Sequence, residues 1–359
     1  MSRRFAPFIG CAGSMAVAVL LTASLAGQSP AAKGSASAVA KATTGAKAWT
    51  PPRAADGHAD LTGVWANNVA TPLERPKVLE GRAQLTAQEV AALQARAAKL
   101  FNGDSDAAFG DSVFEAALND AKGFVSRDGK TGDYNHFWLV ERDFDNRTSL
   151  ITNPPDGKMP PLTPAAQARR AASAAARVRR AEGPEDRSLG ERCISFGVPR
   201  VNAGYNSYIQ LFQSADSVAI QMETIHDARL VPLDGKPHVA NNVRLWHGDS
   251  RGRWEGDTLV IDTTNYSSKG AVMGATDKLH VIERFTRVSP KTLHYEITFD
   301  DPDTWTKPWT LMIPLKYTTD AIYEYACHEG NSGLEGILAG ARAEERAEAP
   351  AKRAGTQER

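Results

Sequence analysis

Between Ser207 and Tyr317 apolar and polar residues alternate at nearly every second position, and that period constrains the fold more than any other feature. Period 2 sends successive side chains to opposite faces of a strand. The runs Ser207–Gln213, Ser217–Arg229, Asn242–His247, Thr258–Tyr266, Leu279–Arg287, Thr292–Phe299 and Trp309–Tyr317 each read as a strand. Turn-forming strings separate them: Ser214-Ala215-Asp216, Pro232-Leu233-Asp234-Gly235, Gly248-Asp249-Ser250-Arg251-Gly252, Glu255-Gly256-Asp257 and Ser289-Pro290-Lys291. Strands joined this way form an antiparallel meander, which hides its edges best by closing. The pattern predicts a mainly β fold: an antiparallel lipocalin-like barrel with α-helical insertions, or else a two-sheet β-sandwich.

Two insertions carry helix signals. At about 84–101, Thr86 with Glu89 three residues on forms a capping box ahead of Val90, Leu93 and Leu100. At about 163–182, Thr163 caps a helix with Pro164 at its first position. Its arginines, Arg169, Arg170, Arg177, Arg179 and Arg180, decorate an Ala-rich solvated face. Asp60 to Trp65 reads as a short strand entering the fold.

The flanks differ in kind. Residues 1–26 read as a secretory signal: Arg3 and Arg4, an apolar stretch from Phe5 to Leu25, and small residues at Ser24 and Ala26 for cleavage. Residues 27–55 lack apolar periodicity and read as a disordered tether, and 343–359 as a polar tail. The segment 56–342 is then a single domain. The expected location is periplasmic or secreted, with no stable membrane span after cleavage.

Losing the signal removes Cys11 and leaves Cys193 and Cys327, a disulfide candidate in an exported chain. That bond would close a loop of well over a hundred residues, worth at most about 4–5 kcal/mol in the chain-entropy model. The balance of 42 Lys+Arg against 42 Asp+Glu offers no basic excess, which argues against a nucleic-acid partner.

Four strings carry a resemblance: the Asp60-Leu61-Thr62-Gly63-Val64-Trp65 run, His226-Asp227-Ala228-Arg229 through Gly235, Gly248-Asp249-Ser250-Arg251 through Thr258, and Tyr323-Glu324-Tyr325-Ala326-Cys327-His328-Glu329-Gly330-Asn331. Together they resemble a family of secreted, largely uncharacterised proteins of soil-dwelling bacteria, over about Asp60 to Arg342. The resemblance brings no catalytic assignment. Gly63-Val64-Trp65 is also similar to the G-x-W opening strand of lipocalins.

Chemistry is sought where ionisable residues fall on faces that should be dry. Folded about Ser289-Pro290-Lys291 so that Arg284 faces Glu296, the hairpin puts Val281, Phe285, Tyr295, Ile297 and Phe299 on one face with Glu283 among them. A carboxylate there either takes up a proton through a raised pKa, which suits general acid–base work, or meets an arginine and braces the fold. Val218, Ile220, Met222 and Thr224 share a face that His226 continues. Asp227 and Arg229 point the other way unless the chain bends before Pro232. Asp262 shares a strand face with Val260 and faces either the lumen or Thr264. The expected catalytic set is Glu283, His226 and Asp262, with Tyr325, His328, Trp246 and Arg229 binding substrate.

No cofactor is expected. The alternative is a divalent metal on His226, His247, Glu283 and His328, although no His or Cys spacing supports it. Trp138, Trp246, Trp254, Trp305, Trp309, Tyr323 and Tyr325 either stack against a ligand ring or pack the core. There is no G-x-S-x-G elbow, Ser250 has no identified base, and the glycines at 248, 252 and 256 do not make a dinucleotide loop. Asp300-Asp301-Pro302-Asp303 lacks a calcium-loop pattern. The leading expectation is an exported enzyme acting on a small organic molecule, plant-derived, aromatic or sugar-containing among the candidates, by acid–base hydrolysis or elimination. The rivals are a non-catalytic carrier of a hydrophobic ligand and a structural envelope protein. Oligomeric state stays open.

Overall fold

A computed structural model describes residues 49–101, 111–119, 121, 142–201, 206–270 and 272–356. The expected signal, Cys11, most of the expected tether and Trp138 lie outside the described residues.

Ten strands form one antiparallel sheet. They are β1 (Gly63–Ala66), β2 (Ile151–Asn153), β3 (Tyr208–Gln213), β4 (Ser217–Met222), β5 (Ala228–Pro232), β6 (Asp249–Glu255), β7 (Thr258–Thr264), β8 (His280–Ser289), β9 (Thr292–Asp300) and β10 (Trp309–Thr318). The order is β5-β4-β3-β1-β10-β9-β8-β7-β6, with β2 on β10. The first strand thus joins two meanders. Trp65 anchors it: fully buried, it donates its indole N–H to Leu61 O at 2.9 Å, meets Tyr317 edge-on and lies under the Arg287 guanidinium.

The sheet is not closed into a barrel, and it is not a two-sheet sandwich. β5 has five residues and ends in Pro232, which has no N–H to donate to a further strand. β5 and β6 instead approach through side chains. A Cβ on Gly252 would lie 2.6 Å from Leu233 Cδ2 and 3.0 Å from Val231 Cγ1, so glycine is what allows that contact.

The β8–β9 hairpin has the expected register, with Arg284 opposite Glu296 and Glu283 opposite Ile297. Its inner face is fully buried, as are Leu311, Ile313 and Leu315 of β10. Burying each such side chain contributes roughly 1.5–3 kcal/mol, so the sheet's inner face is the main source of stability. A satellite core lies under α1 (Ala87–Leu100) and α2 (Ser112–Leu118), where Leu93 and Ala97 meet Val113, Phe114 and Ala117. The Thr86–Glu89 capping box is present, and Thr163 caps α3 (Pro164–Val178).

Five local expectations need correction. The predicted strand Ser217–Arg229 breaks at 223–227, where Ile225 (φ 55°) and His226 (φ 54°) adopt left-handed backbone. The kink exchanges parity. Val218, Ile220 and Met222 point inward before it, and Arg229 and Val231 after it. Asn242–His247 is not a strand, with only a bridge from Leu245 to Tyr266. The predicted turn Gly248–Gly252 instead runs into β6, where Ser250 meets Thr263 across the ladder and Asp249 meets His238 of the preceding loop. The expected polar tail is helical through Thr356, as part of α4 (Ser332–Thr356), where Ala- and Glu-rich sequence favours helix and Arg180 pairs with Glu344 and Glu348. At the other end, Arg53 already bridges Ala59 and pairs with Asp257, so the end of the expected tether is docked.

Cys193 and Cys327 form a disulfide, with Cα atoms 5.6 Å apart and a sequence separation of 134. No helix among the described residues is long and apolar enough to cross a membrane.

Candidate functional site

Three polar clusters hold the residues singled out by sequence. The first is inside. Glu283 is fully buried and receives Arg229 in a fork, Nη1 to Oε2 at 2.6 Å and Nη2 to Oε1 at 2.8 Å. Tyr295 adds an O–H donated to Oε1 at 2.5 Å. Burial works against the Arg229 charge, but Glu283 more than offsets it, so the guanidinium pKa is raised. Burial, then the neighbouring carboxylate, pushes the Tyr295 phenol well above its ordinary value. Around them the interior is filled by Trp65, Trp309, Tyr266, Phe285 and Phe299. The carboxylate is therefore a brace whose donors are already placed, and Arg229 serves it rather than a substrate.

His226 is not its partner. The kink at 223–227 turns that imidazole to the surface, where Nε2 accepts the Tyr325 backbone N–H at 2.9 Å. The expected acid–base pair of Glu283 and His226 is thus not assembled.

Asp262 belongs to a second cluster on the outer face of β6, β7 and β8. His280 Nε2 lies 2.9 Å and His238 Nε2 3.2 Å from its Oδ1, while His238 Nδ1 reaches Asp249 Oδ2 at 2.8 Å. The His280 bond holds Asp262 below its ordinary value, and Asp262 in turn raises His280. Burial raises the Asp249 carboxyl less than Arg251 and His238 lower it. Each group is engaged with a neighbour.

The third cluster sits at the rim and combines three loops. Asp227 closes the kink immediately before β5, and Ser195 follows Cys193, which the disulfide ties to Cys327. His247 ends the long loop between β5 and β6. Buried Asn265 holds that loop, its Nδ2 donating to Ala240 O at 3.0 Å and Val243 O at 2.9 Å, while its own carbonyl accepts Leu245 N–H. Ser195 Oγ donates to Asp227 Oδ2 at 2.9 Å and accepts the Gly197 N–H at 2.8 Å. His247 Nε2 is 3.3 Å from Asp227 Oδ1 and 3.2 Å from Ser195 Oγ.

These distances fix proton positions by elimination. The serine proton is committed to the carboxylate, so Oγ has none left to give His247 Nε2. The neighbour that suits Asp227 Oδ1 is then an N–H on His247 Nε2. That tautomer leaves Nδ1 as the lone-pair nitrogen, and His247 is only half-buried. Ser195 and Asp227 are both buried, while the His247 side chain keeps 22% of its surface exposed. The arrangement differs from a nucleophilic triad, in which serine and carboxylate occupy opposite ring nitrogens. It is an oriented base.

A strap from residue 319 to 331 flanks this rim. Its attachments are Tyr325 N–H to His226, Tyr323 N–H to Glu223 Oε1 at 3.5 Å, the Cys193–Cys327 bond, and Asn331 Nδ2 to Glu191 O at 2.9 Å. Burial raises the Glu223 carboxyl. Arg200 lies beside Asp227 and Tyr325; burial lowers its pKa against their favourable pull. The backbone is unusual at this rim, since Cys193, Ile225 and His226 all have positive φ. For a β-branched residue such as Ile225 that is a costly conformation, of the kind that clusters at working sites.

Of the residues expected from sequence, His226, His247, Trp246 and Tyr325 come to or beside this rim, and His328 is exposed on the strap beyond Cys327. Trp305 and Trp309 pack the core, and Trp254 stacks on His58. The metal set of His226, His247, Glu283 and His328 is not brought together, because Glu283 is enclosed and the others are at the surface. Among the described residues no three His, Cys, Asp or Glu side chains are arranged to hold a metal ion. Sequence reading missed Ser195 and Asp227. One usable signal was present: pairing Cys193 with Cys327 brings Ser195 to the segment carrying Tyr325. Comparison with family models, curated proteins and solved structures finds no match to this chain.

Proposed function

We propose that this chain is an exported enzyme that works on a small organic molecule by general acid–base catalysis, hydrolytic or eliminative, at the rim. His247 Nδ1 takes the proton from a water or from the substrate. Asp227 fixes the tautomer and stabilises the imidazolium that forms, and Ser195 holds Asp227 in place. One observation carries the reading: a half-exposed imidazole has one nitrogen committed to a buried carboxylate–hydroxyl pair, which is the geometry of a poised base. The signal-like segment at 1–26 and the Cys193–Cys327 bond support export. The packed interior offers no argument for a carrier.

The test is a substrate screen of aryl and alkyl esters, lactones and β-leaving-group acids with wild type and His247→Ala. Turnover by wild type should fall about 10²–10⁴-fold in the variant, the usual range for a positioned acid or base. Equal turnover in both folded proteins would dismiss His247 as the base.

A further inference from the structure

Independently of the rim's chemistry, we infer a pH-operated device: the segment 319–331 is a strap that acid releases, with His226 as its catch and the Cys193–Cys327 bond as its hinge. No residue of 319–331 is fully buried, and 319–327 has no regular secondary structure. Little apolar burial holds the segment down, so its position rests on polar contacts and the disulfide. Side chains of the kink meet its backbone. Tyr323 N–H donates to Glu223 Oε1 at 3.5 Å, and Tyr325 N–H to His226 Nε2 at 2.9 Å. Ahead of them, Tyr208 O–H donates to Asp320 Oδ2 at 3.2 Å. Beyond them the disulfide fixes Cys327, and Asn331 Nδ2 reaches Glu191 O.

The 2.9 Å bond requires a bare Nε2, so the neutral His226 ring carries its proton on Nδ1. A second proton has only Nε2 to go to. The lone pair that held Tyr325 is then gone, and two N–H groups face each other. Histidine is the side chain whose charge ordinarily changes between pH 5 and 8. The left-handed backbone at Ile225 and His226 turns this ring out to the strap, and its exposure gives a proton open access.

The other charged groups at the joint set the sign. Glu223 opposes release: burial raises its carboxyl, so protonation in acid relieves a buried charge and favours the closed strap. Its tie to Tyr323 is the longer one, 3.5 Å against 2.9 Å, so loss of the His226 bond dominates. Asp320 lies at the strap's root, and losing its charge loosens the strap further. Tyr208, pushed up to about 12 by burial, stays neutral, and Arg200 beside Tyr325 keeps its charge. Asp227 is engaged with Ser195 and His247 rather than with the strap. Release withdraws Tyr323 from Glu223 and Tyr325 from Arg200, while the disulfide keeps the far end at the rim.

Amide exchange on the full chain, with each rate compared with the intrinsic rate at the same pH, tests this. Tyr325 should be protected about tenfold at about pH 7.5 and unprotected at about pH 5, the fold-change of one hydrogen bond. The midpoint of that loss should coincide with the titration of the His226 ring followed by NMR. Leu334, whose N–H bonds Asn331 Oδ1 beyond the disulfide, should keep its protection throughout. His226→Ala should leave Tyr325 unprotected at both values, and Glu223→Gln and His247→Ala should each keep the transition. Protection of Tyr325 that ignores pH, a midpoint away from the His226 titration, or a protected Tyr325 in His226→Ala would overturn the proposal. So would loss of the transition in Glu223→Gln or His247→Ala, which would assign it to those groups, or loss at Leu334 in step with Tyr325, which would mean general acid unfolding. If His247→Ala keeps full turnover while the strap behaves as stated, the catalytic reading fails and the device stands.

Discussion

The buried Arg229–Glu283 pair and the rim group of Ser195, Asp227 and His247 both combine a carboxylate with a nitrogen base and a hydroxyl, yet they are wired differently. Inside, guanidinium Nη1 and Nη2 and a phenol all donate to one fully buried carboxylate. At the rim the carboxylate is just as engaged, but the imidazole beyond it keeps one nitrogen uncommitted and reaches solvent. An ionisable residue on an apolar strand face is therefore a weak guide to catalysis. What separates brace from base is whether a lone-pair nitrogen is left uncommitted on a side chain that reaches solvent.

Substitutions should separate the two clusters sharply. The largest effect expected on turnover is that of His247→Ala, with thermal stability near wild type; a large loss of stability there would make His247 structural. Glu283→Gln should act the other way, costing about 3–5 kcal/mol in urea unfolding because it strands a buried guanidinium. Replacing Arg229 and Glu283 together by Met and Leu should recover most of that loss. If Glu283→Gln unfolds like wild type, the brace is not one.

Removing the disulfide with Cys193→Ala and Cys327→Ala should lower stability by roughly 2–4 kcal/mol and raise amide exchange in 319–331 first. Uniform exchange across the chain would deny the strap its anchor. Ser195→Ala should reduce turnover about tenfold, the cost of one hydrogen bond to a charged group, and should displace the pH–rate profile. An unmoved profile would leave Ser195 a packing residue only.

The smallest effect concerns the outer cluster. His280 is raised above 6.5 by Asp262, so its contribution is full below that value and fades as pH rises through the raised one. Asp262 is held below 3.8, so its contribution is present above that value and fades as pH falls through the lowered one. The melting-temperature difference between wild type and His280→Ala should be greatest at a pH between those two values and shrink at pH extremes on either side. A flat difference would show the pair to be inert.

The β8–β9 hairpin was legible because strict alternation sets its register, and Thr86 with Glu89 was legible because a capping box is local. The parity exchange at Ile225 was not, since nothing in a β-branched residue announces left-handed backbone. β6 was hidden by its polar composition, and α4 by an anchor, Arg180, that lies far away in sequence. The rim escaped for the same reason. Ser195, Asp227 and His247 sit on three separate loops, and only the folded sheet with its disulfide gathers them.

The most direct measurement is the ¹⁵N NMR spectrum of the His247 ring in the folded protein above the range where it is protonated. A proton on Nε2, with Nδ1 bare, is the predicted result. A proton on Nδ1, leaving Nε2 to face the Asp227 carboxylate as a second acceptor, would contradict the wiring on which the proposed chemistry depends.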